Sequence, residues 1–506
     1  MKHIFARKSI AQLHAEAEGE NRLRRILGPL QLTSLGIGCV IGAGIFVVTG
    51  QAAHDKAGPA IMLSFVVAGL ACVFAALCYA EFASMVPVAG SAYTYAYATL
   101  GELAAWIIGW DLILEYTIAS SAVAHGWSQY FQEFLGTFLP RLPHALSKTP
   151  FDYDPGLGRI VSTGAVIDLP AVLITALLTF ILIRGIRESA RFNTAMVVVK
   201  LAVVVFVIGL GAFYVDPANW HPFAPFGYTG LSLFGKTILG QTGAGGEPLG
   251  MLAGSAIIFF AYIGFDSVST HAEEAKNPRR DIPFGIIASL VICTILYLAV
   301  AAVITGMVPY DQINIEAPVA DAFRQKGLPW AHFIISSGAV VGITSVLLVL
   351  MLSQPRVMLA MARDGLVPPK VFGAVHPRFR TPWISQLVMG CCVAAFAGFV
   401  PLRILAELVN IGTLLAFVVV CAAVLILRRT HPKAHRPFRV PFAPLIPLLG
   451  IGSSALLMFS LPKENWWRLI AWLAIGCVIY FWYGRRHSGL RAARQQPPLP
   501  GEESAP

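Results

Sequence analysis

Long apolar stretches separated by short polar segments dominate the pattern along this chain. Roughly twelve stretches approach or exceed about 18 apolar residues, the length that an α-helix needs to cross a bilayer. The predicted spans are 32–50, 60–80, 103–127, 166–184, 194–213, 251–271, 285–306, 331–353, 384–400, 404–427, 444–461 and 466–484. The pattern therefore predicts an all-α polytopic membrane protein with about 12 transmembrane helices.

Composition agrees with this prediction. Hydrophobic residues make up 56% of the chain and charged residues only 13%, whereas soluble domains carry roughly 25% charged residues. All eight cysteines fall within predicted spans, so they are interpreted as small apolar packing residues. Neither a disulfide framework nor a metal site is predicted.

The distribution of positive charge predicts the orientation. If the N-terminus is cytoplasmic, 26 of the 37 Lys and Arg residues lie in cytoplasmic segments, ten lie on the other side and Lys200 lies within a span. The positive-inside rule then favours two cytoplasmic termini: an N-terminal tail, 1–29, and a disordered C-terminal tail, 486–506. An anionic cytoplasmic leaflet accounts for the net charge of +10, and no nucleic-acid partner is predicted.

Two of the spans contain features that interrupt helices. Span one has almost no side chain at its centre, Gly42-Ala43-Gly44, and span six places Gly264 and Asp266 near its middle. Because five spans separate them, the two interrupted helices have opposite orientations, as in a five-plus-five inverted repeat. The predicted division is a transport core, 30–427, followed by two extra helices with their preceding loop, 428–485. Close packing of small residues between helices is the alternative for the glycines of span one.

Each ionisable residue within a span calls for a functional or structural explanation, because its insertion into the membrane costs at least about 2.5 kcal/mol. Lys200 could extend to the membrane surface, or it could gain and lose a proton during a transport cycle, since burial disfavours an ammonium. Glu115 and Asp266 are candidates for contact with a cationic substrate group; pairing with Lys200 or capping a helix is the alternative. Asp111 is expected to face the cytoplasm, and Glu407 to have a structural hydrogen-bonding role.

Several motifs resemble the amino acid–polyamine–organocation superfamily of permeases. They are "GIGCVIGAGIF" in span one and "FFAYIGFDSVSTHAEEAKNPRRDIPFGI" in span six and its following loop. The stretches "GWDLILEYTIASSAVA", "VVVKLAVV", "SQPRVMLAMARDGLVP" and "LAELVNIGTLLAF" are most similar to the cationic amino acid transporter family and its bacterial members. The resemblance implies a LeuT-like core with broken helices one and six. The acidic and basic residues of "AEEAKNPRRDIP" are expected to form a salt-bridged gate or helix connection.

The resemblance also implies a binding site, because a broken helix offers unpaired N–H groups at one end and unpaired C=O groups at the other. The implied partners of the substrate α-carboxylate are the N–H groups of Gly42, Ala43 and Gly44, and those of the α-amine are the carbonyls of Ile41, Phe260, Ala261 and Ile263. Lys200 would occupy the position that a sodium ion takes between spans one and eight in sodium-coupled relatives of this fold, so that its protonation replaces the ion.

These observations predict a secondary active transporter that imports L-amino acids across the cytoplasmic (inner) membrane. Cationic substrates such as arginine and lysine, and proton symport, are favoured; a broad or neutral permease, or an exchanger without proton coupling, is the alternative. An ATP-driven pump and a membrane metalloprotease are disfavoured, because the sequence contains neither a Walker-type sequence nor a His-Glu-x-x-His motif. An enzyme is not expected, because the carboxylates within spans occur without a recognisable metal or nucleophile partner. No cofactor is predicted, and a small accessory membrane subunit is left open. A channel would not need the two broken helices.

Overall fold

The computed structural model describes residues 7–8, 27–86, 90–140, 142–154, 159–185, 189–243, 246–379 and 381–489. Most of the predicted N-terminal tail, 1–29, and of the predicted C-terminal tail, 486–506, lies outside the described residues.

Helices dominate the described residues. The α-helices are α1 (Pro29–Val40), α2 (Thr49–Ala52), α3 (Ile61–Met85), α4 (Ala92–Thr99), α5 (Glu102–Leu135), α6 (Leu169–Arg184), α7 (Ser189–Gly211), α8 (Met251–Ile258), α9 (Ser267–Thr270), α10 (Pro278–Met307), α11 (Pro318–Gln325), α12 (Pro329–Arg363), α13 (Pro369–Phe372), α14 (Trp383–Phe399), α15 (Leu402–Thr430), α16 (Leu445–Ser460), α17 (Lys463–Ile479) and α18 (Arg485–His487). The π-helical segments are Gly44–Val48, Ala53–Ala57 and Tyr480–Gly484. The 3-10 turns are Gly58–Ala60, His144–Leu146, Ala212–Tyr214, Pro217–Trp220, Phe259–Tyr262, Ala272–Glu274 and Tyr310–Gln312.

Strands occur only in the connections between helices within the described residues. They form three antiparallel pairs, each of two strands: β1 (Phe151–Asp154) with β2 (Arg159–Ser162), β3 (Leu231–Leu233) with β4 (Lys236–Leu239), and β5 (Gln241–Thr242) with β6 (Pro248–Leu249). All three pairs lie in connections that charge distribution assigns to the non-cytoplasmic side.

Helix lies within each of the twelve predicted spans. Eight helical segments of the described chain are long and apolar enough to cross a membrane, and four shorter apolar helices accompany them: α1, α6, α14 and α16. The molecule is therefore a multi-pass membrane protein. The short helices explain the difference from twelve, because 16 residues of α6 rise only about 24 Å against a hydrocarbon core of roughly 30 Å.

Apolar side chains cover the outside of the bundle as well as its interior. Leu173, Val205 and Ile295 are more than half exposed, as expected for side chains that contact lipid. Inside, α12 packs along α5, while α10 packs along α1 and α3. The C-terminal end of α1 thereby lies against α7, α10 and α12, and the candidate site lies there.

Candidate functional site

The first predicted interruption is present in the structure. Helix α1 ends at Val40, Ile41 adopts an extended conformation with ψ of 100°, and helix resumes as a π-helical segment at Gly44. A Cβ atom added to Gly42 would lie 2.7 Å from Cγ2 of Val346 on α12. The glycine therefore lets the interrupted segment approach α12 closely.

The second interruption is longer than its glycine alone indicates. Helix α8 ends at Ile258 and continues as a 3-10 turn over Phe259–Tyr262. Gly264 has φ of +108°, a left-handed conformation that favours glycine. The Ser267 hydroxyl, at the start of α9, donates to the Gly264 carbonyl at 2.5 Å.

The two interruptions touch each other. A Cβ atom added to Gly44 would lie 2.6 Å from Cβ of Ala261, and one added to Gly264 would lie 3.0 Å from Cβ of Cys39. The absence of side chains at both glycines therefore allows the two broken helices to pack backbone against backbone. The structure brings together the predicted residues 41–44 and 260–264.

Lys200 points at the first interruption. Its Nζ donates to the carbonyls of Gly38 at 2.6 Å and Ile41 at 3.1 Å, and to the Ser345 hydroxyl on α12 at 2.9 Å. The residue is completely buried, so its ammonium does not extend to the membrane surface. Because an ammonium has three N–H donors, these contacts use all of them. Among the described residues, Lys200 forms no ion pair with a carboxylate.

Tyr297 of α10 joins the two interruptions, and sequence reasoning missed it. Its hydroxyl lies 2.7 Å from the Val40 carbonyl oxygen and 2.9 Å from the Ala261 carbonyl oxygen. The single hydroxyl hydrogen can be donated to either carbonyl. A tyrosine in the centre of an apolar span is a usable signal, because a buried phenol needs a hydrogen-bond partner.

Three of the four predicted carbonyl acceptors already have protein donors. The carbonyl of Phe260 accepts from the Ile263 N–H at 3.2 Å, while the carbonyls of Ile41 and Ala261 accept from the lysine and the tyrosine just described. Each carbonyl oxygen has two lone pairs. A substrate amine could therefore bind beside these donors without displacing them.

The predicted N–H donors lie where helix resumes. Hydrogen bonding restarts with the Phe46 N–H, which donates to the Gly42 carbonyl at 3.3 Å. The N–H groups at the beginning of a helix lack acceptors within that helix. Ala43 packs against α5, where a Cβ added to Gly126 would lie 2.9 Å from the Ala43 Cβ. Gly42, Ala43 and Gly44 thus form a tightly enclosed helix start.

Three buried carboxylates lie beside this region without a cation. Asp266 accepts from the Tyr116 hydroxyl at 3.4 Å and lies beside the backbone N–H groups of Gly264 and Ser267. Glu115 lies beside the Thr413 hydroxyl, and both oxygens of Asp111 are buried without a hydrogen-bond partner among the described residues. The alternative in which Glu115 or Asp266 pairs with the buried lysine does not occur. The prediction that Asp111 faces the cytoplasm is wrong: its side chain is completely buried, and a Cβ added to Gly412 would lie 3.0 Å from it.

The expected gate after span six is only partly formed. Glu274 pairs with Arg356 of α12 at 3.1 Å, and Asp281 accepts a backbone N–H at the start of α10. Arg279 and Arg280 are exposed and have no ion-pair partner among the described residues. Glu407 accepts from Arg403 and Asn465, which fits its predicted structural role.

These features define a class: a multi-pass membrane protein whose two interrupted helices meet at a buried lysine and a group of carboxylates. A family model described as amino acid permease matches residues 27–483. The chain therefore belongs to the amino acid permease family, within the amino acid–polyamine–organocation superfamily.

Curated relatives carry more than one substrate name. The chain is 48% identical to the branched-chain amino acid permease of Bacillus subtilis (strain 168) and 46% identical to the methylthioribose transporter of the same organism. Each alignment covers 96% of this chain and 99% of the relative. It is 39% identical to the vacuolar cationic amino acid transporter 4 of Arabidopsis thaliana, over 85% of this chain and 68% of the relative.

Proposed function

We propose that this permease is a secondary active transporter that imports L-amino acids across a bacterial cytoplasmic membrane, favours cationic substrates and couples their entry to protons through Lys200. The observation that carries the proposal is the lysine ammonium, buried and bonded to two carbonyls at the first helix break and to Ser345. A titratable cation at a broken helix can link proton binding to the packing of that helix.

The proposed architecture is the twelve-span, five-plus-five inverted repeat with a LeuT-like core over 30–427 and two extra helices over 428–485. Its support is the contact between two interrupted helices that lie five predicted spans apart. Both termini are proposed to be cytoplasmic, on the charge distribution alone. A small accessory membrane subunit remains a proposal without a contact surface to support it.

Backbone groups are proposed to bind the part that all amino acids share. The N–H groups of Gly42, Ala43 and Gly44 would hold the α-carboxylate, and the free lone pairs on the Ile41, Phe260, Ala261 and Ile263 carbonyls would hold the α-amine. The α-carboxylate of the substrate also offsets the positive charge that the substrate α-amine brings close to the Lys200 ammonium. A zwitterion suits this arrangement better than a simple amine.

Cationic selectivity is supported by Glu115 and Asp266. Both are buried without a cation near them, and a guanidinium or ammonium from the substrate would supply the missing charge. More distant relatives with cationic amino acid transporter names agree with this choice.

Transport of a neutral substrate is the second candidate, because the two relatives aligned over almost their full length are named for branched-chain amino acids and methylthioribose. In that case Glu115 and Asp266 have structural roles. Exchange without proton coupling is the remaining alternative to symport.

Uptake into proteoliposomes tests the substrate. Labelled arginine, isoleucine and methylthioribose are offered to the wild-type protein and to Glu115→Gln and Asp266→Asn. We expect arginine to be preferred, and each variant to reduce arginine uptake relative to isoleucine by about tenfold or more, since a hydrogen bond to a charged group contributes roughly 1.5–3 kcal/mol. Preference for isoleucine or methylthioribose in the wild-type protein would favour the second candidate.

The same vesicles test proton coupling. An inward proton gradient is expected to stimulate uptake by the wild-type protein but not by Lys200→Ala. Lys236→Ala is the matched control, because Lys236 is an exposed lysine on β4. Gradient-independent uptake by the wild-type protein would refute symport and leave an exchanger.

A further inference from the structure

A recess lies at the N-terminal end of α10, thirteen residues along the chain from Asp266. This recess of about 550 Å³ is lined by two arginines and otherwise by apolar or proline side chains. The residues that matter here are Arg279, Arg280, Phe284, Ile287, Val291 and Phe438. We call it the α10 recess.

One face of α10 supplies most of the α10 recess. Arg280, Phe284, Ile287 and Val291 follow one another at intervals of four, three and four residues, which places them on one side of a helix. Phe284 is 53% exposed and Val291 is 47% exposed. The arrangement is thus a basic end followed by an open apolar track.

The length of the track fits one leaflet. Eleven residues separate Arg280 from Val291, which is about 16 Å at roughly 1.5 Å per residue. Half of a hydrocarbon core of roughly 30 Å is about the same. A lipid headgroup at Arg280 would therefore place its acyl chain along the track to the middle of the bilayer.

The opposite wall of the α10 recess is firmly held. It is formed by the segment around Phe438, whose N–H faces the Ser84 hydroxyl at 3.3 Å. Nearby, Val440 donates its N–H to Glu81 at 2.8 Å, and Arg428 and Arg436 pair with the same carboxylate. These hydrogen bonds and ion pairs therefore fix the position of the wall against the helix bundle.

Within the described part of the chain, no carboxylate neutralises the two arginines. Both are exposed, and neither forms an ion pair with a described residue. Guanidinium groups bind phosphate oxygens with paired hydrogen bonds. Arg279 and Arg280 also lie in a segment assigned to the cytoplasmic side, where anionic lipids attract basic residues.

We propose that the α10 recess binds one anionic phospholipid, with its phosphate held by Arg279 and Arg280 and one acyl chain lying along Phe284, Ile287 and Val291. The basic end supplies the preference for an anionic headgroup, and the apolar track requires a ligand with an acyl chain.

Native mass spectrometry of the purified protein with added phosphatidylglycerol or phosphatidylcholine tests the proposal. Arg279→Gln with Arg280→Gln is expected to weaken retention of phosphatidylglycerol by about tenfold or more, since hydrogen bonds to charged groups are lost. The matched control, Arg485→Gln with Arg486→Gln, removes the same charge from another exposed pair and is expected to leave retention unchanged.

A second variant keeps both arginines and obstructs the track. Ala288 lines the same recess, so Ala288→Trp is expected to reduce retention of phosphatidylglycerol, whereas Val205→Trp on a lipid-facing surface of α7 is not. The thermal midpoint in detergent without added lipid shows that each variant is folded.

Three outcomes would overturn the proposal. Phosphatidylcholine retained as well as phosphatidylglycerol would show that the basic end is not used. Displacement of the lipid by inorganic phosphate at millimolar concentration would show that the acyl chain contributes nothing. Equal losses in the two arginine pairs would show unspecific attraction to positive charge.

Discussion

Replacing Gly44 with alanine tests whether contact between the two helix interruptions is essential. The new Cβ would lie 2.4 Å from Cα and 2.6 Å from Cβ of Ala261, whereas ordinary contact begins at 3.4 Å. The segments would have to separate by about 1 Å, and overpacking of this kind costs about 1–3 kcal/mol. We therefore expect Gly44→Ala to lower the free energy of unfolding by that amount and to reduce amino acid uptake strongly.

Thermal unfolding in detergent and uptake into proteoliposomes measure the two effects. Gly209→Ala on α7 is the matched control, because nothing lies within 4 Å of a Cβ added there and alanine favours helix. Adding Ala261→Gly to Gly44→Ala removes the Cβ contact but leaves the 2.4 Å contact with the Cα of residue 261, so most of the lost stability is expected to stay lost. A Gly44→Ala protein with wild-type uptake and thermal midpoint would refute the packing argument.

Three further variants test hydrogen bonds that hold the bundle together, each by its thermal midpoint against the wild-type protein. Tyr297→Phe removes the one hydroxyl donor that the buried Val40 and Ala261 carbonyls share and is expected to cost about 1–3 kcal/mol; an unchanged midpoint would mean that water replaces the hydroxyl. Asp168→Ala removes the side chain that caps α6 and that also accepts from the Ser128 hydroxyl and lies 3.0 Å from His125. The loss is expected to be at least about 1–2 kcal/mol, the cost of losing a cap, so a smaller loss would assign all these contacts little importance. Glu81→Gln leaves the buried Arg436 unpaired and is expected to cost about 3 kcal/mol. This is the low end of the range for a buried ion pair, because the second partner of Glu81, Arg428, is 27% exposed. An unchanged midpoint would show that the ion pairs of Glu81 do not stabilise the bundle.

The positions of the helices and of both interruptions could be predicted because they depend on local properties. Apolar length fixes where a helix can lie in a bilayer, and Gly42 and Gly264 mark places where a helix loses its side-chain support. The extent of the second interruption was not predictable in the same way. The 3-10 turn over Phe259–Tyr262 contains ordinary helix-compatible residues, and packing against the first interruption determines its shape.

The partners of the buried polar groups could not be predicted, because their contacts are distant in sequence. Lys200 bonds to a carbonyl 162 residues away, and the helix that carries it is apolar on almost every side. A helix without a polar face gives no periodic signal for its orientation. The sequence therefore indicates that Lys200 is buried, but only the packed structure shows that it faces Gly38, Ile41 and Ser345.

The contacts of Lys200 also give the proposed coupling a physical form. A protonated lysine has three donors, and all three are used by Gly38, Ile41 and Ser345. A neutral lysine has only two, so loss of the proton must weaken at least one of the bonds that hold α1 to α7 and α12. Tyr297 still joins α1 to the second interruption in either state, because its donor does not depend on that proton. In the proposed mechanism, proton release therefore weakens the bonds by which Lys200 joins α1, α7 and α12, while the contact of α1 with the other broken helix persists.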